Sequence, residues 1–598
     1  MTETTLQALV LPEQEISTET ALYFRPDGEV VHQSESGHLH LSQGARVSFD
    51  TYFNAFDSAE WQDACGLESL AFDLRGTGQV MLRVYQVRPN LPVMPTGGIP
   101  SVALETELVL SPEGPHIVDL SELATHQGLR LLYLEIEAKS AATITDGRFV
   151  TRDRPVRRPK LAVSITTFKR EPEVQATARR LSEFLTTYEF ADRIAVQIVD
   201  NGMSARIEET PGLRYITNAN LGGSGGFARG MMEARASGAT HCLFMDDDAS
   251  FHMENIRRTF ALLSFASDPT TAIAGAMITN TRKYEMFENG AIFDGICRPQ
   301  NMHTDLREQK KLFKLLFRAA KPLPHNAYGG WWYFAFPLDH ARHYPFPFFV
   351  RGDDSGFALA NQFHIRTLNG VVSFQDSFGE KETPLINYLD ARYHLMHHLV
   401  FEGLERGARR TALVPLRLIV KSLVRFHYEA AEAQLLAMRD VMAGPDFFLE
   451  NADMSQRRQT LGALHVHEKW APLDARPTRL RKPGHLTDRL WALTLNGHFI
   501  PFFGRFGARR VLRLSMRGPN WPIWGAREIT YVNRATKMGY TVRLDRKRGL
   551  ALLGQAIRQA RALVRAYPDL VAEYRERYAE MTSEETWRKL LGLDEDRD

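Results

Sequence analysis

Three consecutive carboxylates directly follow an apolar run near the middle of the chain. Residues 242–245 (CLFM) lead into Asp246, Asp247 and Asp248. This pattern predicts a buried strand with an acidic carboxyl end, and ligands of open α/β sheets bind beyond the carboxyl ends of the strands. Because neighbouring carboxylates repel one another, a hard divalent ion such as Mg²⁺ or Mn²⁺ would stabilise them and could also bind a substrate phosphate. The alternative is a solvated acidic turn.

Polar residues also follow two further predicted strands. Residues 161–165 form a strand that leads to Thr167 and Arg170, and residues 193–199 form a strand that leads to Asp200. Strands alternate with helical segments in this part of the chain, which predicts a largely parallel sheet. Arg170 immediately precedes a predicted helix, and the first turn of a helix attracts anions. Asp200 could bind a nucleotide base or ribose, and the alternative is a simple turn.

A glycine-rich segment lies between the second of these strands and the acidic triplet. Residues 218–226 read NANLGGSGG and include Asn220, Gly222 and Gly223. Four glycines within five positions allow the backbone to approach a ligand closely. The order of residues differs from that of a P-loop, and the segment does not follow the first strand as a dinucleotide fingerprint does. It is therefore a candidate ligand-binding loop of another kind, and the alternative is a flexible loop before a helix.

A second pair of carboxylates, Asp353 and Asp354, follows the apolar residues 344–350. A carboxylate placed beside a hydroxyl is the simplest general base, whereas the alternative is a cap for the helix that follows. Upstream, Trp331 and Trp332 follow two glycines. Paired tryptophans can form a platform for a sugar ring, and the alternative is that they belong to the core.

Taken in order, these motifs resemble those of glycosyltransferases of the GT-A fold in glycosyltransferase family 2. The motifs are TFxR after the first strand, NLGGSGG, FMDDD, GWW and the DD before a helix. The chain is most similar to the polymerising galactofuranosyltransferase of the mycobacterial cell wall. Residues 51–56 (TYFNAF) resemble the N-terminal β domain of that family, and residues 540–587 resemble its C-terminal helices. The resemblance thus extends over most of the chain.

The resemblance implies a role for each candidate residue. Asp246 and Asp248 would hold the divalent ion, Mn²⁺ or Mg²⁺, and Asp354 would be the general base, with Asp353 nearby on the acceptor side. Trp331 and Trp332 would flank the acceptor. The remaining residues would bind the UDP-sugar donor: Thr167, Arg170, Asp200, Asn220, Gly222, Gly223, Asp247 and His394.

One position departs from the family pattern. The family has a metal-binding histidine in a Trp-His pair after the base, whereas Gln375 stands at the corresponding position in residues 371–375 (VVSFQ). An amide oxygen can bind a hard cation, but it is a weaker ligand for Mn²⁺ than an imidazole. Gln375 is therefore a candidate metal ligand with a consequence for metal preference, and Asp376 and His364 are the other candidates.

Length and composition predict a multidomain globular protein. The chain has 598 residues, of which 44% are hydrophobic and 24% are charged. Short alternating segments in residues 1–155 predict a β-sandwich or jelly roll. Residues 156–400 would form the α/β, Rossmann-like GT-A domain, and residues 401–598 a mainly helical domain. Three widely spaced cysteines are typical of a reducing compartment and indicate neither a disulfide framework nor a zinc site.

The sequence also bears on partners and location. No segment of about 18 uncharged apolar residues is present, and the N-terminus does not read as a secretory signal. The arginine- and aromatic-rich residues 488–530 would suit an anionic membrane surface, and the alternative is a helical packing face. No nucleic-acid-binding module is recognisable. We therefore expect a cytoplasmic protein that is peripheral on the inner face of the cell membrane, and the resemblance implies a homo-oligomer.

The expected activity follows from the resemblance. It is the metal-dependent, inverting transfer of galactofuranose from UDP-galactofuranose to a saccharide hydroxyl of a growing, lipid-linked glycan. Two alternatives remain open. One is a GT-A transferase with a different UDP-sugar donor, and the other is a glycan-binding protein whose catalytic site has decayed.

Overall fold

The computed structural model describes residues 3–89, 98–124, 128, 130–321, 323–376, 383–479 and 487–594. Antiparallel strands dominate the first 151 residues, in agreement with the all-β prediction, and two helices that the sequence did not predict accompany them. The elements are β1 (Thr4–Ala8), β2 (Arg25–Asp27), β3 (Val30–Gln33), β4 (His38–Leu41), β5 (Arg46–Ser48), α1 (Ser58–Cys65), β6 (Ala71–Pro89), β7 (Gly98–Leu110), β8 (His116–Asp119), α2 (Ser121–Ala124), β9 (Leu131–Ala138) and β10 (Ala142–Thr151).

One long strand links the two halves of this N-terminal β structure. The first part of β6 pairs with β8 and β10, and its second part pairs with β7 and β9. The change of partners occurs around Gly76 and Gly78. A Cβ atom at Gly76 would lie 2.0 Å from the carbonyl oxygen of Thr143, so only glycine allows the two strands to approach so closely there.

The central part of the chain is an α/β structure around a seven-stranded sheet. The strand order is β13-β12-β11-β14-β21-β15-β22, and the first four of these strands are parallel. Its elements are β11 (Leu161–Thr167), α3 (Glu171–Thr187), β12 (Ile194–Asp200), β13 (Leu213–Thr217), α4 (Gly222–Ala236), β14 (His241–Asp246), α5 (Glu254–Phe265), β15 (Thr271–Ala274), β16 (Ala276–Thr279), β17 (Met286–Glu288), β18 (Ala291–Phe293), β19 (Cys297–Pro299), α6 (Gln309–Ala319), β20 (Ala327–Tyr328), β21 (Phe334–Pro337), α7 (Asp353–Asn361), β22 (His364–Arg366), β23 (Val372–Gln375) and α8 (Pro384–Val400).

The C-terminal part is mainly helical, as the sequence predicts, but it also contains a small sheet that the sequence did not predict. The sheet has the strand order β24-β27-β26-β25. No helix within the described residues is long and apolar enough to cross a membrane. The elements are α9 (Ala408–Val424), α10 (Tyr428–Met442), α11 (Asp446–Glu450), α12 (Ser455–Leu464), β24 (Ala471–Pro472), α13 (Thr487–Leu493), α14 (Phe503–Phe506), β25 (Ala508–Arg513), β26 (Ala526–Asn533), β27 (Met538–Arg543), α15 (Arg546–Met581) and α16 (Glu584–Leu590).

The three parts of the chain are joined by buried contacts. The guanidinium group of Arg258, on α5, donates hydrogen bonds of 2.9 Å to the carbonyl oxygens of Ala8 and Phe53 in the N-terminal part. On the opposite side, the indole of Trp587 donates a 2.7 Å hydrogen bond to the carbonyl oxygen of Pro345. Each part therefore depends on its neighbours for packing, and the domain boundaries at residues 155 and 400 stay predictions.

Candidate active site

The carboxyl ends of three parallel strands meet at one edge of the central sheet. The strand register pairs Thr167 of β11 with Asp200 of β12, and Thr166 of β11 with Asp246 of β14. Beyond these ends lies a cleft of about 390 Å³. The predicted residues that line this cleft are Thr167, Arg170, Asn220, Gly222, Gly223, Asp246, Asp247, Asp248 and Gln375. Strand register therefore brings together most of the residues assigned to the donor and the metal.

The three carboxylates of the triplet contact Thr167, Gln375 and Arg170, and Arg170 lies within ion-pair distance of both Asp247 and Asp248. Thr167 donates a 2.7 Å hydrogen bond to Asp247, and the Nε2 atom of Gln375 lies 3.3 Å from Asp246. Arg170 forms an ion pair with Asp248. No group of three His, Cys, Asp or Glu side chains among the described residues forms a ready metal site. The carboxylates of Asp246 and Asp248 would be the ligands of a cation at this edge of the sheet. The ion pair between Arg170 and Asp248 would then have to open.

Burial and mutual repulsion perturb the triplet. Burial, with the negative charges of Asp248 and Asp247 as further causes, raises the pKa of Asp246 to about 7. Burial also raises the pKa of Asp247 to about 6, although the hydrogen bond from Thr167 acts in the opposite direction. Buried carboxylates that repel one another are stabilised when a cation binds between them. Their oxygen atoms are ligands that suit Mg²⁺ or Mn²⁺.

The glycine-rich segment forms the opposite wall of the cleft. Gly222 has a φ of +69°, and a Cβ atom there would lie 2.0 Å from the carbonyl oxygen of Phe349, so a side chain cannot be accommodated. Asn220 accepts a 3.1 Å hydrogen bond from the backbone N–H of Gly222, which begins helix α4. The N-terminus of α4 therefore faces the cleft. The N–H groups of Gly222 and Ser224 are already bound, to Asn220 and to the carbonyl oxygen of Phe349, whereas the N–H of Gly223 has no hydrogen-bond partner among the described residues. This N–H and the positive end of the helix dipole favour an anion such as a diphosphate.

The second acidic pair begins helix α7 and is connected to the glycine segment. The hydroxyl of Ser224, on α4, donates a 2.9 Å hydrogen bond to Asp353. Burial raises the pKa of both Asp353 and Asp354, and the negative charge of Asp354 adds to the effect on Asp353. Asp353 is thus held by the hydroxyl of Ser224, whereas within the described residues the carboxylate of Asp354 accepts a hydrogen bond only from the N–H of Ser355. This difference makes Asp354 the better placed of the two to accept a proton.

The backbone that carries this pair is strained. Phe349 and Arg351 both have a φ of +71°, which non-glycine residues rarely adopt and which costs on the order of 1–3 kcal/mol each. The preceding residues are clamped by the C-terminal helices, because Tyr344 donates a 2.7 Å hydrogen bond to Glu584 and Phe346 stacks on Tyr578 at 5.7 Å. The last helices of the chain therefore position the acidic pair.

The two tryptophans lie in the core. Trp331 is 5% exposed and packs against the rings of Phe244 and Phe357 at 5.0 and 5.8 Å. Trp332 is 7% exposed, and its indole N–H donates a 2.9 Å hydrogen bond to the carbonyl oxygen of Gly275. Neither lines the cleft described above. Trp331 nevertheless supports helix α7 through Phe357, and the acceptor-binding role of both tryptophans stays a prediction.

Asp200 and His394 are also placed away from the cleft walls. Asp200 accepts hydrogen bonds of 2.7 Å from the N–H of Gly202 and 2.8 Å from the hydroxyl of Tyr215, so it organises the turn after β12. His394 is buried, donates from Nδ1 to the carbonyl oxygen of Asp390 and accepts at Nε2 from the N–H of Cys297. Burial lowers the pKa of His394 to about 4, so the ring is neutral. The donor-binding roles of both residues stay predictions.

The alternative metal ligands are separated by the fold. Asp376 lines the cleft beside Gln375 and accepts a 3.1 Å hydrogen bond from Asn280. His364 does not line the cleft, and its Nδ1 atom lies 2.8 Å from a carboxylate oxygen of Asp268. Asp376 is therefore better placed than His364 to assist Gln375, whose amide can present its oxygen to a cation by rotating about its last torsion angle.

Two functional candidates were missed by the sequence analysis. Arg458, from helix α12 of the C-terminal part, lines the cleft, and its guanidinium group lies 5.1 Å from the ring of Phe349. Glu288, on β17, is 4% exposed, and its Oε1 atom has no hydrogen-bond partner among the described residues. Burial and the negative charge of Asp354 raise the pKa of Glu288 to about 8. Both residues are isolated in sequence from the recognised motifs, so no local pattern marks them.

Comparison with known proteins identifies the class. A family model described as "Galactofuranosyltransferase 2 N-terminal" matches residues 6–152. Two relatives, both named Galactofuranosyltransferase GlfT2, match nearly the whole chain. We conclude that this chain is a glycosyltransferase.

The similarity to the two relatives is low in sequence identity but extends over nearly the full length of both chains. The protein from Mycolicibacterium smegmatis is 25% identical, with coverage of 92% of this chain and 90% of the relative. The protein from Mycobacterium tuberculosis is 23% identical, with coverage of 92% and 91%. The resemblance to the polymerising galactofuranosyltransferases that the motifs indicate is thereby confirmed.

Solved structures give weaker similarities. A mannosyltransferase from Pyrobaculum calidifontis in complex with GDP-Man and Mn²⁺ is 15% identical, with coverage of 52% of this chain and 85% of that chain and a TM-score of 0.28. GalNAc-T7 with UDP, GalNAc and Mn²⁺ is 9% identical, with coverage of 43% and 51% and a TM-score of 0.30.

Proposed function

We propose that this glycosyltransferase is an inverting enzyme of the GT-A type that transfers galactofuranose from UDP-galactofuranose to a hydroxyl of a growing glycan. One observation carries the proposal. The hydrogen bond from Ser224 to Asp353 joins the helix N-terminus on the donor side to the acidic pair on the acceptor side. A donor diphosphate at the start of α4 and an acceptor hydroxyl at Asp354 would then be neighbours, as a displacement at the anomeric carbon requires.

The proposed reaction proceeds in a single displacement. Asp354 accepts the proton of the acceptor hydroxyl while the hydroxyl oxygen bonds to the anomeric carbon of the sugar. The bond between that carbon and the UDP oxygen breaks on the opposite side, and the proton remains on Asp354. The raised pKa of Asp354 suits this role, because its cause, burial, strengthens the carboxylate as a base.

The charge of the leaving group must be balanced within the cleft. UDP departs with an additional negative charge, which the N-terminus of α4 and the guanidinium groups of Arg170 and Arg458 would stabilise. Asp246 and Asp248 would hold a divalent cation, with the amide oxygen of Gln375 as a further ligand. Such a cation supplies Lewis-acid assistance to the departure of the diphosphate.

The donor sugar separates this proposal from its alternatives. We expect UDP release above the hydrolytic background only with UDP-galactofuranose when Mn²⁺ and a galactofuranosyl oligosaccharide acceptor are present. Parallel reactions would contain UDP-galactopyranose, UDP-glucose or UDP-N-acetylglucosamine, and a matched set would contain excess chelator. Turnover with a pyranose donor instead would contradict the donor assignment. Binding of the oligosaccharide without turnover of any donor would indicate a glycan-binding protein with a decayed site.

We also propose that the enzyme contacts an anionic membrane surface through a patch on the C-terminal part, which would give access to a lipid-linked acceptor. We define the apolar-basic patch as the exposed arginine, leucine and phenylalanine residues of the span 488–530. Its apolar members include Phe502 at 67% exposure and Leu493 at 78% exposure. Trp524 is 8% exposed and belongs to the core, so it is not part of the patch, contrary to expectation. The members are Arg489, Leu490, Leu493, Phe499, Phe502, Arg505, Phe506, Arg509 and Arg513.

Replacing two arginines of the patch should weaken membrane binding. We expect Arg505→Ser/Arg509→Ser to bind anionic phospholipid vesicles roughly 30-fold less tightly at low salt, because each basic residue near such a surface contributes about 1 kcal/mol and about 1.4 kcal/mol is a factor of ten. Arg510 is kept because it donates a 3.1 Å hydrogen bond to the carbonyl oxygen of Trp524. Vesicle flotation measures the effect, and Arg179→Ser/Arg342→Ser, at exposed positions elsewhere, is the matched control. No flotation of the unaltered chain at low salt would exclude the membrane proposal.

A further inference from the structure

A second cavity lies at the other end of the central sheet. It has a volume of about 460 Å³ and is lined by residues of the connecting segment 152–159, of the segment 188–193 that follows α3, and of helix α5. The connecting segment leads directly into β11, whose opposite end borders the cleft. Seven strand residues separate the two ends, which corresponds to about 20 Å. The cavity is therefore distinct from the candidate active site.

Positive charge dominates the lining of this cavity. Six arginines line it, at positions 152, 154, 157, 158, 193 and 257, together with two carboxylates, Asp153 and Glu189. The formal net charge of the lining is thus +4. Asp153 accepts hydrogen bonds of 2.7 Å from the N–H of Glu68 and the hydroxyl of Ser69, so its charge is directed into the N-terminal part. The carboxylates do not balance the arginines.

Several of these guanidinium groups have no anionic partner. Arg154, Arg158 and Arg193 form no side-chain hydrogen bond or ion pair within the part of the chain that the structure describes. Arg257 likewise forms no ion pair with a described residue, and its guanidinium group lies over the rings of Phe184 and Tyr188 at 5.4 and 5.3 Å. Like charges gathered in this way repel one another, and a bound anion would remove that repulsion.

Aromatic rings form the base of the cavity. Tyr188, Phe260 and Phe265 are buried, and Phe190 stacks on Phe260 at a centroid distance of 5.3 Å. A wall of low polarity strengthens the attraction between the arginines and an anion, because it excludes water from one side of the interaction. It also offers a surface on which a flat, partly apolar group of a ligand can lie. The combination of charge and concave shape favours a small ligand over an extended polymer.

We propose that this cavity binds a small-molecule diphosphate. Guanidinium groups match phosphate oxygens with paired hydrogen bonds. Five of the six lining arginines, all except Arg152, form no ion pair with a described residue, which exceeds what one phosphate requires. The volume also exceeds that of a single phosphate group. Inorganic pyrophosphate and a nucleoside diphosphate share this chemistry, and the aromatic wall distinguishes them, since only the nucleoside can use it.

A ligand in this cavity would join three elements. It would bind the connecting segment through Arg154 and Arg158, the turn directly before β12 through Arg193, and α5 through Arg257. Helix α5 begins shortly after the acidic triplet in sequence, and β11 carries Thr167 at its far end. Occupancy would therefore stabilise the junction between the N-terminal part and the sheet that positions the cleft.

The test is a calorimetric titration of the full chain with inorganic pyrophosphate in the presence of chelator. The chain carries Asp246→Asn, so that metal-dependent binding in the cleft is removed, and the cavity variants below separate binding in this cavity from any metal-independent binding in the cleft. We expect saturable binding, and we expect Arg154→Gln/Arg193→Gln in the same background to weaken it at least tenfold. The control pair Arg179→Gln/Arg342→Gln, at exposed positions outside the cavity, should bind like the parent. UDP should bind with the same affinity as pyrophosphate if the cavity recognises the diphosphate alone. UDP should bind more tightly than pyrophosphate if the nucleoside also packs against the aromatic wall.

Three results would overturn the proposal. They are no saturable binding by the parent, unchanged binding by the Arg154→Gln/Arg193→Gln variant, and equal affinity for sulfate and pyrophosphate. If that variant unfolds at a lower temperature than the parent without ligand, Arg158→Gln serves instead, because Arg158 is exposed and makes no side-chain hydrogen bond or ion pair with a described residue. We expect Arg158→Gln to weaken binding about threefold, and unchanged binding would again contradict the proposal. None of these measurements depends on glycosyl transfer.

Discussion

Replacing Asp354 by Asn is expected to lower the rate of glycosyl transfer roughly 100-fold or more, while the affinity for UDP stays within about twofold of the parent. The substitution keeps the shape of the side chain and removes its ability to accept a proton. Asp354 is not among the residues that line the donor-side cleft, so donor binding should be preserved. Steady-state kinetics with an oligosaccharide acceptor measure the first effect, and UDP calorimetry with Mn²⁺ measures the second.

Asp353 provides the matched control for this prediction. Asp353→Asn leaves a side chain that can still accept the hydrogen bond from Ser224, so it should retain measurable turnover. If Asp353→Asn is inactive and Asp354→Asn retains near-normal turnover, the two roles are reversed. If both variants keep near-normal turnover, the proposed displacement by a carboxylate base is wrong.

The second large effect concerns Asp246. We expect Asp246→Asn to abolish the increase in UDP affinity that Mn²⁺ produces and to lower transfer roughly 100-fold or more, because a ligand and a charge are lost from the proposed cation site. In the parent, addition of chelator should have the same effect on UDP affinity. Equal UDP affinity of the parent with Mn²⁺ and with chelator would contradict the metal assignment.

A stability measurement separates loss of function from loss of folding. Burial and the neighbouring carboxylates raise the pKa of Asp246 from 3.8 to about 7, so the folded state disfavours its charged form. The resulting penalty is absent below about pH 4, grows as the pH rises, and is complete above pH 7. In chelator at pH 8, Asp246→Asn should therefore raise the free energy of unfolding, by at most about 4 kcal/mol, and at pH 4 it should not. A lower melting temperature at pH 8 would indicate a damaged fold instead.

Several features of the fold were predictable from local patterns. The apolar run before Asp246 and the alternation of strands and helices after residue 161 predicted a parallel sheet with an acidic carboxyl end, and the structure contains it. Glycine at position 222 was recognisable as a close-approach residue, which its φ of +69° explains. These patterns are reliable because burial and backbone geometry act on residues that are near one another in sequence.

Local sequence patterns did not predict other elements of the fold. A proline in the interior of a helix normally interrupts it, yet α15 contains Pro568 and continues without a break from Arg546 to Met581. Packing of its buried face against the neighbouring helices offsets the local cost of the proline. Strands β26 and β27 were overlooked because their alternation is short and lies within a segment rich in charges and aromatics. In both cases tertiary contacts outweighed the local preference.

The sequence by itself determined the class of chemistry. It contains two acidic clusters at predicted strand ends and a glycine-rich segment before the first cluster, and these motifs occur in the same order as in the family that the chain resembles. Only the tertiary structure decided which of these side chains meet. Strand register aligned Thr167 with Asp200 and Thr166 with Asp246, and the C-terminal helices held the backbone before Asp354. The tryptophan pair went to the core, and Arg458 entered the cleft from a distant helix. The motifs could be recognised because they depend on spacing along the chain. Which side chains meet in the cleft depends on packing between segments hundreds of residues apart, which the spacing does not reveal.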